Sequence, residues 1–185
     1  MNEITFITGN QGKADFLVKH VDYPINHRKL DLDEIQSLDL PEIAKHKAEQ
    51  AYKIVQKPVL VEDVALTFES LGKLPGPFIK WFEIELGLEG LCKIADSLKS
   101  RNAVAAVCFV YFDGQNTAFF NGEIAGSISD MPRGSGGFGF DPIFIPDNSK
   151  KTLAEMEGDE LERYSLRTTT VYPQIKKFLD SIDRD

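Results

Sequence analysis

The turn after the first apolar segment has the residue types of an anion site. It reads Thr8, Gly9, Asn10, Gln11, Gly12 and Lys13, and a helical pattern follows it directly. Glycines let backbone N–H groups approach an anion, and the amino terminus of a helix carries about half a positive charge, to which Lys13 adds a full one. The spacing is not that of a Walker A loop. By itself the segment is explained equally well by a phosphate loop and by a structural turn.

Carboxylates form a second candidate site. Glu34 lies in the segment 32–36, and Glu62 and Asp63 directly follow the apolar run 59–61, which we expect them to end as a strand. Magnesium prefers one or two carboxylates together with waters and substrate phosphates, so Glu34 and Asp63 could hold a metal bound to a nucleotide. A helix cap or a solvated turn is the alternative for Glu62. The end of a strand is where α/β proteins bind ligands, which favours a site at Asp63.

The third candidate is the glycine-rich segment 132–142. It satisfies Gly-x-Gly-x-x-Gly, but an Asp-Pro pair and another strand follow it where a dinucleotide-binding motif opens a helix. We therefore do not predict a Rossmann cofactor. The rings of Phe138 and Phe140 could stack on a base and the carboxylate of Asp141 could accept hydrogen bonds from its edge, with plain packing as the alternative.

Several basic side chains lie near these three motifs: Lys47, Lys80, Arg133 and Arg167. On an acidic chain, clustered cations would form a focused anion site. The histidines His20, His27 and His46 suggest neither a catalytic triad nor a metal cluster, and we expect them to be surface or packing residues.

The elements that must position these residues alternate between strand-like and helix-like patterns, which predicts a mixed α/β fold. Strands are predicted at 4–8, 59–61, 103–112, 117–128 and 143–145, and helices at 13–20, 41–55, around Trp81, at 88–98 and, interrupted near Pro173, at 165–182. The Asp113-Gly114 pair predicts a hairpin turn, and Thr152 with Glu155 has the spacing of a capping box.

Composition limits the function classes. The chain has 185 residues, of which 42% are hydrophobic and 27% charged, and a net charge of -8, which argues against nonspecific binding to nucleic acid or anionic membranes. Cys92 and Cys108 match no metal spacing and are expected to be reduced core residues. Neither a signal-peptide pattern nor an apolar run of ~18 residues is found, so we expect a cytoplasmic protein that does not associate with membranes.

In their order along the chain, these motifs resemble the inosine triphosphate pyrophosphatase family, also called the Ham1 or RdgB family. The resemblance covers nearly the whole chain. Its motifs are Thr-Gly-Asn-x-x-Lys at 8–13, Val-Glu-Asp at 61–63, Leu-Pro-Gly-Pro-Phe-Ile-Lys-Trp-Phe at 74–82, Pro-Arg-Gly at 132–134, Phe-Gly-Phe-Asp-Pro-Ile-Phe at 138–144, Ala-Glu-Met at 154–156, and Ser165 with Arg167.

The resemblance implies one pyrophosphatase domain over residues 1–185, with an elongated fold in which a mixed sheet and flanking helices form two lobes around a central cleft. It further implies a homodimer that hydrolyses noncanonical purine triphosphates (inosine, deoxyinosine or xanthosine) to the monophosphate and pyrophosphate, which cleanses the nucleotide pool. The implied cofactor is Mg²⁺, with Mn²⁺ as a substitute.

The family's site residues carry over to matching positions. The triphosphate would be bound by Thr8, Gly9, Asn10, Gln11, Gly12 and Lys13, with Lys47 and Lys80 neutralising phosphate oxygens. Glu34 and Asp63 would bind the metal, Asp63 would also act as the base, and Lys13, Glu34 and Asp63 form the catalytic set. The base would be bound by Phe138, Gly139, Phe140, Asp141 and Arg167.

Departures from the family pattern concentrate at the base-binding end. Leu166 replaces a histidine, and Leu161 and Glu162 align with a lysine and an asparagine. Elsewhere, Val64 replaces a Thr or Ser and Phe16 a Glu. An absent donor costs about 1–3 kcal/mol if its substrate partner is left buried and unpaired.

Three alternatives therefore stay open. The first is the same chemistry with altered or relaxed base specificity, and the second is a nucleotide-binding regulator without turnover. A nucleic-acid-binding module is the weakest, because the chain is acidic and has no basic stripe interleaved with aromatic residues.

Overall fold

The structure, a computed structural model, describes residues 3–182. Strands and α-helices alternate along these residues, so the predicted mixed α/β class is confirmed. The elements are β1 (Ile4–Ile7), α1 (Gln11–Val21), β2 (Ile25–Arg28), α2 (Leu40–Val55), β3 (Val59–Phe68), β4 (Pro75–Gly76), α3 (Ile79–Asp96), β5 (Asn102–Phe112), β6 (Thr117–Ile128), β7 (Phe144–Pro146), α4 (Gly158–Tyr164) and α5 (Tyr172–Ile182). Short 3-10 helices lie at Glu69–Leu71, Asp141–Ile143 and Leu153–Glu155, and a π-helix lies at Arg167–Val171.

The strands form a seven-stranded mixed sheet in the order β2-β1-β3-β5-β6-β7, with β4 paired to β3. β1 is parallel to both β2 and β3, whereas β4 is antiparallel to β3 and β7 is antiparallel to β6. The predicted hairpin strands β5 and β6 are sheet neighbours, and their turn is held by Asp113, whose carboxylate accepts hydrogen bonds from the N–H groups of Gln115 and Asn116.

Internal packing divides the chain into two compact units. Of the described residues, the first unit comprises 3–63, 107–122 and 170–182, and the second comprises 64–106 and 123–169. Three strands, β3, β5 and β6, have residues in both units.

An aromatic core holds the first unit together. The ring of Phe109 on β5 stacks on Phe6 of β1 with centroids 5.8 Å apart, and Tyr172 of α5 meets Phe109 edge-on at 6.0 Å. Phe16 of α1 contacts the same Tyr172 at 5.9 Å. Thus α1 and α5 pack on the Phe109 face of the sheet. Because side chains alternate along a strand, Phe112 points to the opposite face, where Tyr52 of α2 meets it edge-on at 5.3 Å.

α2 begins with local signals that the sequence makes plain. The Asp39 side chain caps the helix by accepting a hydrogen bond from the N–H of Glu42, and Pro41 stands in the first turn, where its missing donor costs nothing. The buried Ala44, Ala48 and Ala51 form one side of the helix. Lys47 is thereby held on a rigid element.

One strand boundary predicted from the sequence is wrong. Glu62 and Asp63 do not end β3, which continues to Phe68. The reason is a change of partner: β1 stops at Ile7, which pairs with Val61, and β3 continues until Leu66 pairs with β4. The two carboxylates therefore lie just beyond the end of β1.

In the second unit, the two helices predicted around Trp81 and at 88–98 form the single element α3, which is broken at Gly87 by non-helical backbone angles. The predicted capping box is confirmed, since Thr152 and Glu155 cap the short 3-10 helix Leu153–Glu155 reciprocally. The interruption predicted near Pro173 takes the form of the π-helix Arg167–Val171, after which Pro173 lies in the first turn of α5.

Both cysteines are free and buried, as predicted. Burial raises the pKa of the Cys108 thiol to about 12, and burial also raises the pKa of Cys92. Neither thiol is therefore ionised at neutral pH. No helix among residues 3–182 combines the length and the apolarity that crossing a bilayer requires.

Candidate active site

The loop between β1 and α1 is a tight connection built by its own side chains. Asn10 is the N-cap of α1, and its side-chain oxygen accepts a hydrogen bond from the N–H of Lys13 at 3.2 Å. The N–H of Asn10 donates in turn to the Thr8 hydroxyl at 3.1 Å. The helix therefore begins at Gln11, directly after the loop. The first N–H groups of a helix have no partner within the helix, which suits this end to an anion.

Lys13 is fixed beside this loop by an ion pair. Its Nζ lies 3.3 Å from Oε1 of Glu62 on β3, and the Glu62 side chain is only 3% exposed. The sequence left a helix cap or a solvated turn open for Glu62. In the structure it is a buried anchor for the ammonium group of Lys13.

Three of the predicted site residues meet around one ammonium group. Lys47 Nζ lies 3.1 Å from Oδ2 of Asp63 and 3.3 Å from Oε1 of Glu34. Burial alone would lower the pKa of Lys47, but the negative charges of Asp63 and Glu34 outweigh it and raise that pKa. Lys47 is thus a firmly protonated cation that holds the two carboxylates at one place.

Glu34 lies in a segment without regular structure, and Gln50 of α2 holds that segment in place. The side-chain amide of Gln50 accepts a hydrogen bond from the N–H of Asp33 and donates one to its carbonyl oxygen, both at 3.1 Å. Sequence reasoning missed Gln50. The segment 32–36 has no periodic pattern that indicates which helix face it contacts.

The donor set suits a hard divalent cation. Glu34 and Asp63 offer carboxylate oxygens, and Mg²⁺ commonly takes one or two carboxylates and completes its shell with waters and phosphates. Because the Lys47 ammonium group lies beside both carboxylates, this position attracts positive charge. Among residues 3–182, no group of three or more His, Cys, Asp or Glu side chains is arranged to hold a metal ion without further ligands. Glu34 and Asp63 fit a metal that arrives with its own phosphate ligands.

His27 on β2 supports the β1–α1 loop from the side. Its Nε2 lies 2.6 Å from the carbonyl oxygen of Thr8, and its Nδ1 lies 3.1 Å from Oε1 of Gln11. The sequence predicted a surface or packing role. β2 has only four residues, Ile-Asn-His-Arg, which is too short and too polar for a sequence pattern to place it beside the loop.

The glycine-rich segment of the second unit closes on itself. The N–H of Phe138 donates to Oδ2 of Asp141 at 2.6 Å, and Asp141 is 6% exposed. Gly137 makes this contact possible, because its φ is +75° and a Cβ there would lie 2.2 Å from that same carboxylate oxygen. The buried Arg167 places its guanidinium carbon 5.2 Å from the centre of the Phe138 ring.

The other predicted base-binding and cationic residues have separate environments. Phe140 is buried and meets Phe144 edge-on at 6.4 Å. Leu166 is also buried, and its side chain has no polar atom. Lys80 is exposed, with its Nζ 5.4 Å from the centre of the Trp81 ring. Arg133 pairs with Glu155 at 3.5 Å and donates to the carbonyl oxygen of Lys150, so it ties the glycine-rich segment to the capping box.

Comparisons with known proteins show which family the chain belongs to. A family model described as Ham1 family matches residues 4–175. Inosine triphosphate pyrophosphatase 2 of Trypanosoma cruzi (strain CL Brener) is 43% identical over 172 residues, which cover 90% of this chain and 87% of that protein. The dITP/XTP pyrophosphatase of Saccharolobus solfataricus is 36% identical over 182 residues, which cover 97% of this chain and 94% of that protein.

Solved structures show the same fold. The Ham1 protein of Staphylococcus aureus superposes with a TM-score of 0.78 at 26% identity, covering 97% of this chain and 99% of that one. A Ham1 protein from Coxiella burnetii gives a TM-score of 0.82 at 23% identity, covering 98% and 100%. With a family match over most of its length and relatives of this similarity, the chain belongs to the Ham1 family.

Proposed function

We propose that this protein is a Mg²⁺-dependent nucleoside triphosphate pyrophosphatase that hydrolyses inosine, deoxyinosine and xanthosine triphosphates to the monophosphate and pyrophosphate. The observation that carries the proposal is Lys47 held between Glu34 and Asp63 in the same unit as the Thr8–Lys13 loop. Relatives that share this chain over most of its length are named inosine triphosphate pyrophosphatase and dITP/XTP pyrophosphatase, which supports the choice of substrate.

The residues of the first unit account for the chemistry. The N–H groups at the start of α1 and the ammonium group of Lys13 would bind the outer phosphates, and Lys47 would neutralise oxygens near the reacting phosphorus. Glu34 and Asp63 would hold Mg²⁺, which offsets charge on the phosphate oxygens when bound.

Asp63 would also orient the attacking water. As the water oxygen bonds to the α-phosphorus, Asp63 accepts its proton, the bond from the α-phosphorus to the bridging oxygen breaks, and pyrophosphate leaves with the electron pair. Phosphoryl transfer needs little beyond such positioning and charge compensation. Mn²⁺ should substitute for Mg²⁺, since both are bound through carboxylates, phosphates and water.

The second unit would bind the base, with Phe138, Gly139, Phe140, Asp141 and Arg167 as the recognition residues and Lys80 as a further phosphate contact. Of the two rings, Phe138 is the better stacking surface, because Phe140 is buried against Phe144. Arg167 would donate to acceptors on the base. Leu166 is buried and cannot donate, which favours altered or relaxed base specificity as the second candidate.

We further propose that residues 1–185 act as one pyrophosphatase domain, as a homodimer and in the cytoplasm. Matches that run over nearly the full length of both chains support a single domain. The two buried free cysteines suit a reducing compartment. The dimer rests on the family resemblance, and sedimentation of the purified chain would test it.

The proposed substrate class is tested by pyrophosphate release from a panel of inosine, xanthosine, deoxyuridine and ordinary adenosine and guanosine triphosphates, each with Mg²⁺ or with chelator. We expect metal-dependent release that favours inosine and xanthosine triphosphates. Preference for another base would indicate a repurposed base site, and nucleotide binding without release would indicate a regulator.

A further inference from the structure

The ring of His27 lies between two oxygen atoms of the β1–α1 loop. Nε2 is 2.6 Å from the carbonyl oxygen of Thr8, and a carbonyl oxygen only accepts hydrogen bonds. Nε2 must therefore carry a proton. This contact alone is compatible with a neutral ring whose Nδ1 has a lone pair.

The second contact removes that possibility. Nδ1 of His27 is 3.1 Å from Oε1 of Gln11, and the orientation of the Gln11 amide is fixed by its other end. Its Nε2 lies 2.8 Å from Oδ1 of Asp15, and a carboxylate only accepts, so the amide nitrogen must face Asp15 and the amide oxygen must face His27. Nδ1 must then donate as well. A histidine that donates from both nitrogens is an imidazolium cation.

The same unit contains a second histidine–glutamine pair with the opposite arrangement. Gln50 exchanges two hydrogen bonds with the backbone of Asp33, which turns its amide nitrogen toward Nδ1 of His46 at 2.8 Å. Nδ1 of His46 must therefore accept, so this ring is neutral. The two pairs differ in what orients the glutamine, which makes His46 an internal reference for His27.

We infer that His27 is a positioning residue of the β1–α1 loop and that it carries a proton on both ring nitrogens when the loop has the geometry described here. Its charge adds to that of Lys13 at a loop that would take a polyphosphate, and its two donors fix the backbone of Thr8 and the side chain of Gln11. The loop would thus bind polyphosphate more tightly when His27 is protonated than when it is neutral.

Other charges near the ring do not change this assignment, because Asp15 is the group that orients Gln11. The helix α1, which packs against β2, carries the titratable or charged groups Lys13, Asp15, Lys19 and His20. Arg28 is the last residue of β2, and Lys29 follows it directly. β1 itself, Ile4–Ile7, carries no titratable or charged group.

The first experiment measures the protonation of the His27 ring nitrogens directly and does not depend on enzyme activity. Nitrogen-15 NMR of the uniformly labelled chain at about pH 7 distinguishes protonated from unprotonated ring nitrogens, and the signals of His27 are identified by their loss in His27→Gln. We expect two protonated nitrogens for His27 and one for His46. A His27 ring with one protonated nitrogen would overturn the inference.

The second experiment measures how tightly the β1–α1 loop binds its ligands, and it rests on the proposed function. We expect His27→Gln to raise the KM for inosine triphosphate and the Kd for inorganic tripolyphosphate by about tenfold with kcat nearly unchanged, since the charge of His27 and its charge-assisted hydrogen bonds to the loop are lost. His27→Arg, which keeps a permanent charge and several donors, should restore the affinity.

A matched control is His20→Gln on α1, which should leave both constants unchanged. Unaltered KM and Kd in His27→Gln, or a loss confined to kcat, would contradict the positioning role. If the wild type released no pyrophosphate, the proposed function would fail, whereas the NMR spectrum and the tripolyphosphate affinity would still decide the role of His27.

Discussion

Lys47 contributes a cation to the charge balance of the candidate site. It is 15% exposed and lies within 3.3 Å of both Glu34 and Asp63, which are two like charges close together. Removing one member of a partly buried ion network costs the attraction that this member supplied to the charges that remain. The residue therefore has a structural role in the free enzyme and, in our proposal, a second role against phosphate oxygens.

Lys47→Met should lower the free energy of unfolding by about 1–3 kcal/mol in metal-free buffer, because the attraction of the Lys47 ammonium group to Glu34 and Asp63 is lost while the two carboxylates stay close together. Added Mg²⁺ should restore more stability to this variant than to the wild type, while pyrophosphate release stays low. Thermal unfolding with and without Mg²⁺ measures both effects.

Lys45→Met on the same helix is the matched control. Lys45 is 51% exposed and forms only a surface pair with Glu49 at 3.7 Å, so its loss should change stability by less than about 0.5 kcal/mol. Equal behaviour of the two variants would show that Lys47 does not hold the two carboxylates.

The sequence predicted part of this site and not the rest. Glu34, Lys47 and Asp63 were predicted from their residue types and from the family resemblance, and the structure brings these three side chains together. His27 and Gln50 could not be predicted, because their roles depend on which way a glutamine amide is turned and on contacts between distant segments. Residue type and spacing contain neither kind of information.

At the scale of elements, local signals were predictive and changes of partner were not. The capping box at Thr152 and the break within α3 both follow from short-range chemistry, and the sequence indicated both of them. The true end of β3 depends on β4, a two-residue strand that no periodicity reveals. The short polar strand β2 was missed for the same reason.

The glycine-rich segment offers a test of how an element shapes the base-binding end. Gly137→Ala places a methyl group against the Asp141 carboxylate at a backbone angle that favours glycine, so the bond from the Phe138 N–H to Asp141 should break. We expect the KM for inosine triphosphate to rise about tenfold, while the Kd for inorganic tripolyphosphate stays unchanged.

Gly72→Ala separates the effect of the contact with Asp141 from the effect of the backbone angle. Gly72 has a similar φ of +69°, but nothing lies within 4 Å of the added Cβ. Its KM should match that of the wild type. A normal KM of Gly137→Ala for inosine triphosphate would show that this segment does not take part in base recognition.

Through its capping box, the stability of the 3-10 helix Leu153–Glu155 should depend on pH. The backbone N–H of Thr152 lowers the pKa of Glu155 against the opposing effect of burial, and Arg133 assists. Because the native pKa lies below the ordinary value of 4.5, the stabilisation is present above that pH and is lost as the pH falls through the native value.

Glu155→Gln should therefore be less stable than the wild type in urea at neutral pH, and the difference should shrink in acid as Glu155 of the wild type becomes protonated. Glu157→Gln, at an exposed neighbour, should match the wild type at both pH values. A difference between Glu155→Gln and the wild type that is the same at neutral and acid pH would contradict the assigned role of the ionised carboxylate.

At the scale of the whole molecule, the chain is acidic, with a net charge of -8, and a few of its cations lie at the candidate site residues. Lys13 and Lys47 are each held by a carboxylate in the first unit, and the buried Arg167 lies over a ring in the second. Such local cations favour a small anionic ligand over a long polyanion, because a long polyanion would meet the net negative surface. This agrees with a nucleotide as substrate.

The mixed α/β class was predictable at this scale from the alternation of segments, and the family from motifs that span nearly the whole chain. The boundary between the two compact units could not be predicted, since β3, β5 and β6 have residues in both and no linker marks it. Base preference is the least predictable property, because it depends on single donors such as the one absent at Leu166.

The central claim is most directly tested by pyrophosphate release from inosine triphosphate by the wild type and by Asp63→Asn, with Mg²⁺ or chelator and with Asp31→Asn as the exposed control. We predict Mg²⁺-dependent release by the wild type and by Asp31→Asn, and a fall of about 10²-fold or more in kcat for Asp63→Asn. Asp63→Asn with wild-type turnover, or equal release in chelator, would contradict the proposed site and its chemistry.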